Sequence, residues 1–313
     1  MSTAEVDISR TKAWVMAARP QTLPAAAAPV IVGTGLAIYE GVFAPLPALL
    51  AFVGAALIQI GTNFANDYYD AIKGADTDER EGFTRVTQAG IISAEQVKLA
   101  TLVTFALAIL TGSYLVYVGG LPILVVGLVS VFCGWAYTGG PYPLGYHGLG
   151  DLFVFVFFGV VAVMGTFYVQ AAAVLAEPLA TSIPEGTVTR EAFLASLPVA
   201  GISTAILVVN NVRDMETDAD AGKRTLAVRI GYRWSRVQYV AMLALAYLTP
   251  LWLWLGEGFG PSVLLPLLSA PYAAVITRTV CTRTDGEALN PALEGTGKLL
   301  ALYAVLFAAG VAV

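Results

Sequence analysis

Long, almost uninterrupted apolar stretches dominate the chain, and short polar connections separate them. Each stretch has the length of roughly 20 residues that an α-helix needs to cross the hydrocarbon core of a membrane. The third and fourth stretches are joined tightly at Gly119 and Gly120. The pattern predicts an all-α, polytopic membrane protein with about nine transmembrane helices at 22–39, 45–69, 95–118, 120–138, 149–175, 193–213, 236–256, 259–280 and 292–312.

The composition supports the same class. Hydrophobic residues make up 57% of the chain and charged residues only 12%, whereas soluble domains carry about 25% charged residues. A water-soluble protein of this length could not cover its surface, so the lipid bilayer must be its main partner, and no nucleic-acid partner is expected. We expect residues 1–313 to form a single intramembrane domain that begins with a polar segment at 1–18 and has no cleavable signal peptide.

Basic residues are distributed unequally between the two sets of connections. The longer, charged connections at 70–94, 139–149, 213–236 and 281–298 alternate with shorter or weakly charged ones. Of the 17 Lys and Arg residues, only Arg190 falls on the other face. The positive-inside rule therefore predicts a multi-pass protein of the cell membrane, with the charged face and the N-terminus in the cytoplasm.

A first polar cluster stands at the predicted cytoplasmic end of the second apolar stretch. Its members Asn63, Asn66, Asp67 and Asp70 are spaced i, i+3, i+4 and i+7, which places them on one side of a helix. Gly74 can end that helix and allow Asp76 to fold back. A bare carboxylate in a bilayer costs about 2.5–3.5 kcal/mol on insertion scales, so this cluster predicts a bound cation or a water-filled cavity.

A second polar cluster follows the sixth apolar stretch. Asn210, Asp214 and Asp218 are spaced i, i+4 and i+8, and Asn211 lies beside them. Carboxylate and amide oxygens suit Mg²⁺, which completes its shell with water and substrate phosphates. Two such clusters that face each other predict a central cavity, open at the cytoplasmic face, where Mg²⁺ holds a diphosphate. The remaining phosphate oxygens could be bound by Arg85, Lys223 and Arg224.

These clusters resemble the two motifs of the intramembrane aromatic prenyltransferases of the UbiA superfamily. The chain is most similar to the branch that acts on 1,4-dihydroxy-2-naphthoate in menaquinone synthesis. The wider superfamily places the last Asp of the first motif at the position of Gly74, whereas this chain has Asp76 two residues later, as that branch does. Five segments carry the resemblance: Ala18–Pro24, Asn66–Asp76, Arg85–Gly90, Tyr137–Gly150 and Asn210–Leu226.

The resemblance implies an Mg²⁺-dependent enzyme that transfers a polyprenyl group from a polyprenyl diphosphate to the aromatic acceptor with loss of CO₂. It implies catalytic roles for Asp67, Asp70, Asp214 and Arg85. The implied metal ligands are Asn66, Asp70, Asp76, Asp214 and Asp218, and Asp78 is an alternative to Asp76. The implied substrate-binding residues are Asn63, Asn66, Lys73, Arg85, Tyr137, Asn210, Asn211, Lys223 and Arg224.

Two other interpretations remain open from the sequence. The same fold can use another acceptor, such as 4-hydroxybenzoate, homogentisate, a chlorophyll precursor, haem or a glycerol phosphate ether. The acids could instead form the ion site of a cation-coupled transporter or channel. Transport favours acids near the membrane midplane, whereas these acids lie at one interface. The prenyl chain length and the oligomeric state are left open.

Overall fold

The computed structural model describes residues 9–73 and 86–313, and of Lys73 it describes the backbone alone. These residues form helices and turns, with no strand among them. Arg19 has a left-handed backbone (φ 53°) and joins the first two helices through a 3₁₀ turn, Pro20–Thr22. The helices are α1 Arg10–Ala18, α2 Leu23–Tyr39, α3 Pro45–Lys73, α4 Ala94–Ala136, α5 Gly150–Leu175, α6 Arg190–Arg213, α7 Met215–Asp220, α8 Leu226–Gly256, α9 Pro261–Thr282 and α10 Gly286–Val311.

The described residues contain eight helices long and apolar enough to span a membrane. One of them, α4, has 43 residues, which at 1.5 Å per residue is about twice the thickness of a hydrocarbon core. Its backbone breaks at Gly120 (φ 68°, ψ −159°). A Cβ on Gly134 would lie 3.7 Å from the Phe105 ring, so the two arms of α4 fold back on each other. Counting both arms gives nine segments and confirms the predicted architecture of a polytopic, all-α membrane protein.

Two helices begin earlier than the hydropathy pattern predicts. Helix α8 begins at Leu226 rather than near 236, and α10 begins at Gly286 rather than near 292. In each case a side chain caps the first turn by accepting a backbone N–H, Thr225 from Val228 and Asp285 from Ala288. Charged residues, Arg229 in α8 and Glu287 in α10, lie in these first turns, so a hydropathy pattern alone could not locate them.

Small residues allow the helices to pack closely. Helix α6 is the most buried of the spans. A Cβ on Gly159 of α5 would lie 2.1 Å from the Cβ of Ala200 on α6, and one on Gly201 would lie 2.5 Å from the Met242 carbonyl of α8. Membrane helices gain little from hydrophobic burial against one another and associate through such close backbone contact. Helix α6 is thereby held at the centre, with its C-terminal end beside the end of α3.

Candidate active site

The ends of α3 and α6 meet around a polar cavity of about 280 Å³. The rest of its wall comes from the turn between α1 and α2, the start of α2, the loop between α4 and α5, α5, α7 with the segment after it, and α10. Both predicted clusters contribute, so the structure brings together the two motifs that lie about 140 residues apart in the chain. The predicted site residues that line the cavity are Asn66, Asp70, Tyr137, Asn210, Asn211, Asp214, Asp218 and Lys223.

Asp70 is the buried acid that α3 contributes to this cavity. Its Oδ1 accepts a hydrogen bond from the Tyr146 hydroxyl and lies 3.8 Å from the Lys223 Nζ. One turn earlier, the Oδ1 of Asn66 accepts a hydrogen bond of 2.7 Å from Thr138. The Gly- and Pro-rich loop after α4 therefore holds Asn66 and Asp70, the two members of the first cluster that line the cavity, because Thr138 and Tyr146 belong to it.

Asn63 and Asp67 do not line the cavity, although the sequence assigned them to the site. Asn63 donates hydrogen bonds of 2.9 Å to the Ala18 carbonyl and to the Thr22 hydroxyl. Asp67 accepts a hydrogen bond of 2.8 Å from Thr87. Asp67 stands about 100° around the helix from Asn66, so it points to the segment that precedes α4. Both side chains position elements beside the site.

The second cluster is organised by Arg213. Its guanidinium binds both carboxylate oxygens of Asp214 at 2.7 Å and the Oδ1 of Asn210 at 2.9 Å. It also donates to Asn290 at the start of α10, at 2.8 Å. Arg213 and Asp214 are both buried. The Arg213 guanidinium therefore compensates the charge of the Asp214 carboxylate and holds it in one orientation. The sequence analysis had not assigned Arg213 to the site.

Lys223 connects the two clusters. Its Nζ lies 3.8 Å from Asp70 and 3.9 Å from Asp218, and it stands 4.9 Å from the centroid of the Tyr146 ring. A buried lysine thus places a positive charge between acids from both halves of the chain. The neighbouring Arg224 donates its backbone N–H to the Tyr146 carbonyl at 2.8 Å. The Arg224 side chain is exposed and does not line the cavity.

Tyr137 lies where α4 ends and packs tightly against the following loop. A Cβ on Gly145 would lie 3.0 Å from its ring, and one on Gly150 would lie 2.9 Å from its hydroxyl. Burial, and then the charges of Asp151, Asp218 and Asp70, raise the pKa of Tyr137. A phenol is protonated at neutral pH even at its ordinary pKa of about 10, so the Tyr137 hydroxyl can donate a hydrogen bond to an anionic ligand.

The side-chain oxygen atoms at the polar cavity suit Mg²⁺ bound together with a phosphate. Asn66, Asp70, Asp214 and Asp218 offer hard oxygen atoms to one cavity. Within residues 9–73 and 86–313, no three His, Cys, Asp or Glu side chains are close enough to bind a metal alone. A metal ion held by the described residues would complete its shell with water and substrate phosphate. Asp76, Asp78, Arg85 and the side chain of Lys73 lie outside the described residues.

A second, apolar cavity of about 430 Å³ lies deeper between the helices. Its wall comes from α2, α3, α4 and α5 and is mostly aliphatic and aromatic. It adjoins the polar cavity, since the two share the lining residues Ala25, Gln59, Tyr137, Val154 and Phe158. Such a pair of cavities can hold a ligand with a charged head and a long hydrocarbon tail.

The polar cavity has further members that spacing alone did not reveal. Arg19 and Thr22, from the turn between α1 and α2, line it, as does Ser203 of α6. Tyr146 also lines it and contacts both Asp70 and Lys223. The segments Ala18–Pro24 and Tyr137–Gly150 had carried the family resemblance, which was the available signal for Arg19 and Tyr146.

Residues 26–311 match the model of the UbiA prenyltransferase family. The chain is 39% identical to the 1,4-dihydroxy-2-naphthoate octaprenyltransferase of Escherichia coli strain K12. The match covers 98% of this chain and 97% of that protein. The protein of the same name from Mycobacterium tuberculosis is 38% identical, with 96% of each chain covered.

A solved structure has the same fold at lower identity. The UbiA homolog from Archaeoglobus fulgidus bound to DMAPP and Mg²⁺ superposes with a TM-score of 0.61 at 16% identity, covering 94% of this chain and 98% of that one. The family model and the full-length relatives agree with the two motifs that meet at the polar cavity. The chain therefore belongs to the UbiA prenyltransferase family.

Proposed function

We propose that the protein transfers a polyprenyl group from a polyprenyl diphosphate to 1,4-dihydroxy-2-naphthoate, with loss of CO₂. The observation that carries this proposal is the junction of the two cavities. The acidic and amide side chains of both motifs surround a polar chamber, and an apolar chamber continues from it between the helices. The diphosphate would lie in the first and the hydrocarbon tail in the second.

The residues present suit a diphosphate bound with Mg²⁺. Asn66, Asp70, Asp214 and Asp218 would hold the metal, with Asp76 as a further proposed ligand. When bound, Mg²⁺ neutralises charge on the diphosphate and so makes it a better leaving group. Lys223 lines the same cavity and would bind phosphate oxygens that the metal leaves free. The Arg213 guanidinium contacts both Asp214 oxygens and holds this carboxylate in one orientation for this role.

The reaction balances without an added base or oxidant. The C1–O bond of the prenyl diphosphate breaks, and its electron pair leaves with the diphosphate. A π-electron pair of the ring forms the new bond at the carbon that carries the carboxylate. That carboxylate leaves as CO₂, and its bonding electrons restore the aromatic ring. The product is a demethylmenaquinone in its hydroquinone form. The only histidine, His147, stacks on Tyr142 in a loop and need not act as a base.

The choice of acceptor rests on the relatives and on the charge of the cavity. Relatives that are 39% and 38% identical over nearly the whole chain carry the name 1,4-dihydroxy-2-naphthoate octaprenyltransferase. Arg19 and Lys223 line the polar cavity, and their positive charge would attract an acceptor carboxylate as well as the diphosphate. Two ring hydroxyls make the acceptor strongly nucleophilic, so the site need not activate it further.

Protein in lipid vesicles tests the proposal when it is supplied with Mg²⁺, a polyprenyl diphosphate and a panel of acceptors. We expect a product with dihydroxynaphthoate and none with 4-hydroxybenzoate or homogentisate. Asp70→Asn and Asp214→Asn should each reduce turnover at least about 1,000-fold, while Asp220→Asn, at an exposed acid that ends α7, should not. Turnover with another acceptor alone would overturn the acceptor assignment. Normal turnover in either cavity variant would overturn the metal assignment.

A further inference from the structure

We infer that Gln59 and Ser203 form a second polar tier below the metal-binding acids and bind the hydroxyl-bearing ring of the acceptor. This inference rests on the proposed function and deepens it. Both side chains are more than nine-tenths buried and line the polar cavity. The Oε1 of Gln59 and the Oγ of Ser203 have no hydrogen-bond partner in the part of the chain that the structure describes.

The two residues occupy equivalent places on their helices. Gln59 precedes Asn66 by seven residues and Asp70 by eleven, and Ser203 precedes Asn210 and Asp214 by the same two intervals. Seven residues are about two turns and eleven about three, so both side chains lie on the same face as the polar clusters, about 10 Å below the asparagines and about 16 Å below the aspartates along the helix. Each half of the chain thus presents an amide and an acid at the mouth, with one more polar group below them.

Gln59 is positioned where the ring must arrive. It belongs to the junction that both cavities share. A prenyl diphosphate with its head in the polar cavity and its tail in the apolar cavity would place its reactive C1 at that junction. The nucleophilic carbon of the acceptor must approach C1 closely. The junction is otherwise lined by Ala25, Tyr137, Val154 and Phe158, which offer only the Tyr137 hydroxyl for polar contact.

Hydrogen bonds at the turn before α2 fix which end of the Gln59 amide is available. The Thr22 hydroxyl donates its hydrogen to the Arg19 carbonyl at 2.9 Å. The Thr22 oxygen in turn accepts a hydrogen bond of 2.9 Å from the Nε2 of Gln59. One hydrogen of Nε2 is used by Thr22, and the Gln59 atom without a partner among the described residues is Oε1, which can only accept.

The Oε1 of Gln59, unpaired within the described residues, determines which group of a ligand can bind to it. A buried carbonyl oxygen without a donor costs free energy, and a ligand O–H restores the missing bond. A carboxylate or phosphate has no hydrogen to offer at neutral pH, so Oε1 of Gln59 cannot bind the diphosphate or the acceptor carboxylate. It suits a ring hydroxyl. Accepting that hydrogen bond would also push electron density into the ring and strengthen its nucleophilic carbon. The Ser203 hydroxyl can donate or accept and suits the other polar edge of the ring.

Equilibrium binding tests the inference without requiring turnover. Affinities for 1,4-dihydroxy-2-naphthoate and for geranyl diphosphate with Mg²⁺ are measured separately on purified protein in lipid nanodiscs. We expect Gln59→Leu and the near-isosteric Gln59→Met to weaken acceptor binding roughly 10- to 100-fold and geranyl diphosphate binding less than about twofold. Ser203→Ala should weaken acceptor binding by a smaller factor.

Gln170 provides the matched control. It is a buried glutamine whose Nε2 donates to Thr166 and Thr34 and whose Oε1 has no hydrogen-bond partner within the described ranges, but it lines neither cavity. Gln170→Leu should leave both affinities within about twofold. Thermal unfolding of each variant shows whether it remains folded, and geranyl diphosphate binding reports whether the rest of the site is intact.

Acceptor analogues identify the bond itself. Wild-type protein should bind at least one of the two monohydroxy-2-naphthoates more weakly than the dihydroxy compound, and Gln59→Leu should lose that difference. Unchanged acceptor affinity in both Gln59 variants, equal losses for both ligands, or retained discrimination would overturn the inference. If the wild type binds geranyl diphosphate but no naphthoate, the proposed acceptor is wrong and the inference falls with it. Naphthoate binding that Gln59 does not affect would leave the proposed function standing.

Discussion

The Nζ of Lys223 lies 3.8 Å from the Oδ1 of Asp70, and this contact joins the two halves of the site. Asp70 ends the polar stripe of α3, whereas Lys223 follows α7, about 150 residues later in the chain. Both residues are buried. A buried acid beside a buried base is tolerated because each compensates the charge of the other. The contact also places a cation where a phosphate would enter.

The first prediction concerns Lys223. We expect Lys223→Met to raise the KM for polyprenyl diphosphate about 10- to 100-fold, because a charge-assisted hydrogen bond to a phosphate contributes about 1.5–3 kcal/mol. Arg224→Met is the matched control, since the Arg224 side chain is exposed and outside the cavity. Steady-state kinetics at saturating acceptor measure both. An unchanged KM in Lys223→Met would mean that this lysine only neutralises the acids.

The second prediction concerns the pair of Arg213 and Asp214. Removing one member of a buried ion pair leaves an uncompensated charge and typically costs about 3–5 kcal/mol. We therefore expect Arg213→Met to lower the thermal unfolding temperature clearly. The double variant Arg213→Met with Asp214→Asn should recover part of the loss, because it leaves no buried charge at the pair. Thermal unfolding in detergent measures this, and a double variant less stable than the single one would contradict the explanation.

The third prediction concerns the contact between α5 and α6. A Cβ on Gly159 would lie 2.1 Å from the Ala200 Cβ, so Gly159→Ala must push these helices apart. Overpacking of this kind costs about 1–3 kcal/mol. Gly165→Ala lies on the same helix and would meet no atom within 4 Å. We expect a lower unfolding temperature for the first variant and little change for the second. Equal stability of the two would show that the interface can yield without cost.

The fourth prediction concerns orientation, which rests on the distribution of basic residues. Starting from protein in which Cys133→Ala and Cys281→Ala remove the native thiols, Asp220→Cys and Glu185→Cys each introduce one exposed position. A membrane-impermeant thiol reagent added to intact cells should label position 185 and not position 220. Position 220 should react after the cells are opened. Labelling of position 220 in intact cells would reverse the proposed topology.

Much of the architecture could be predicted because the membrane imposes it. The apolar stretches gave the segments, and even the weak fourth one is present as the second arm of α4 beyond Gly120. Helical spacing also grouped Asn66 with Asp70 and Asn210 with Asp214, and all four residues line the polar cavity. In each case a single local rule, hydropathy or the 3.6-residue period, governs the result.

The remaining features depend on contacts between distant segments. Spacing grouped Asp67 with Asp70, but a hydrogen bond to Thr87 holds Asp67 outside the cavity. Tyr146 reaches Asp70 only because the loop after α4 folds over the end of α3. Likewise, Arg213 is a charged residue at a helix end, and its guanidinium contacts Asn290 of α10 as well as the adjacent Asp214. No periodicity encodes such contacts.

The central claim is prenyl transfer to 1,4-dihydroxy-2-naphthoate at the carbon that carries its carboxylate. The most direct measurement uses this acceptor with ¹³C in the carboxylate, together with Mg²⁺ and a polyprenyl diphosphate, and follows the product and the released gas by mass spectrometry. We predict a prenylated dihydroxynaphthalene without the label and one equivalent of ¹³CO₂ per product. A prenylated product that keeps the ¹³C carboxylate, or no product while another aromatic acceptor is prenylated, would contradict the claim.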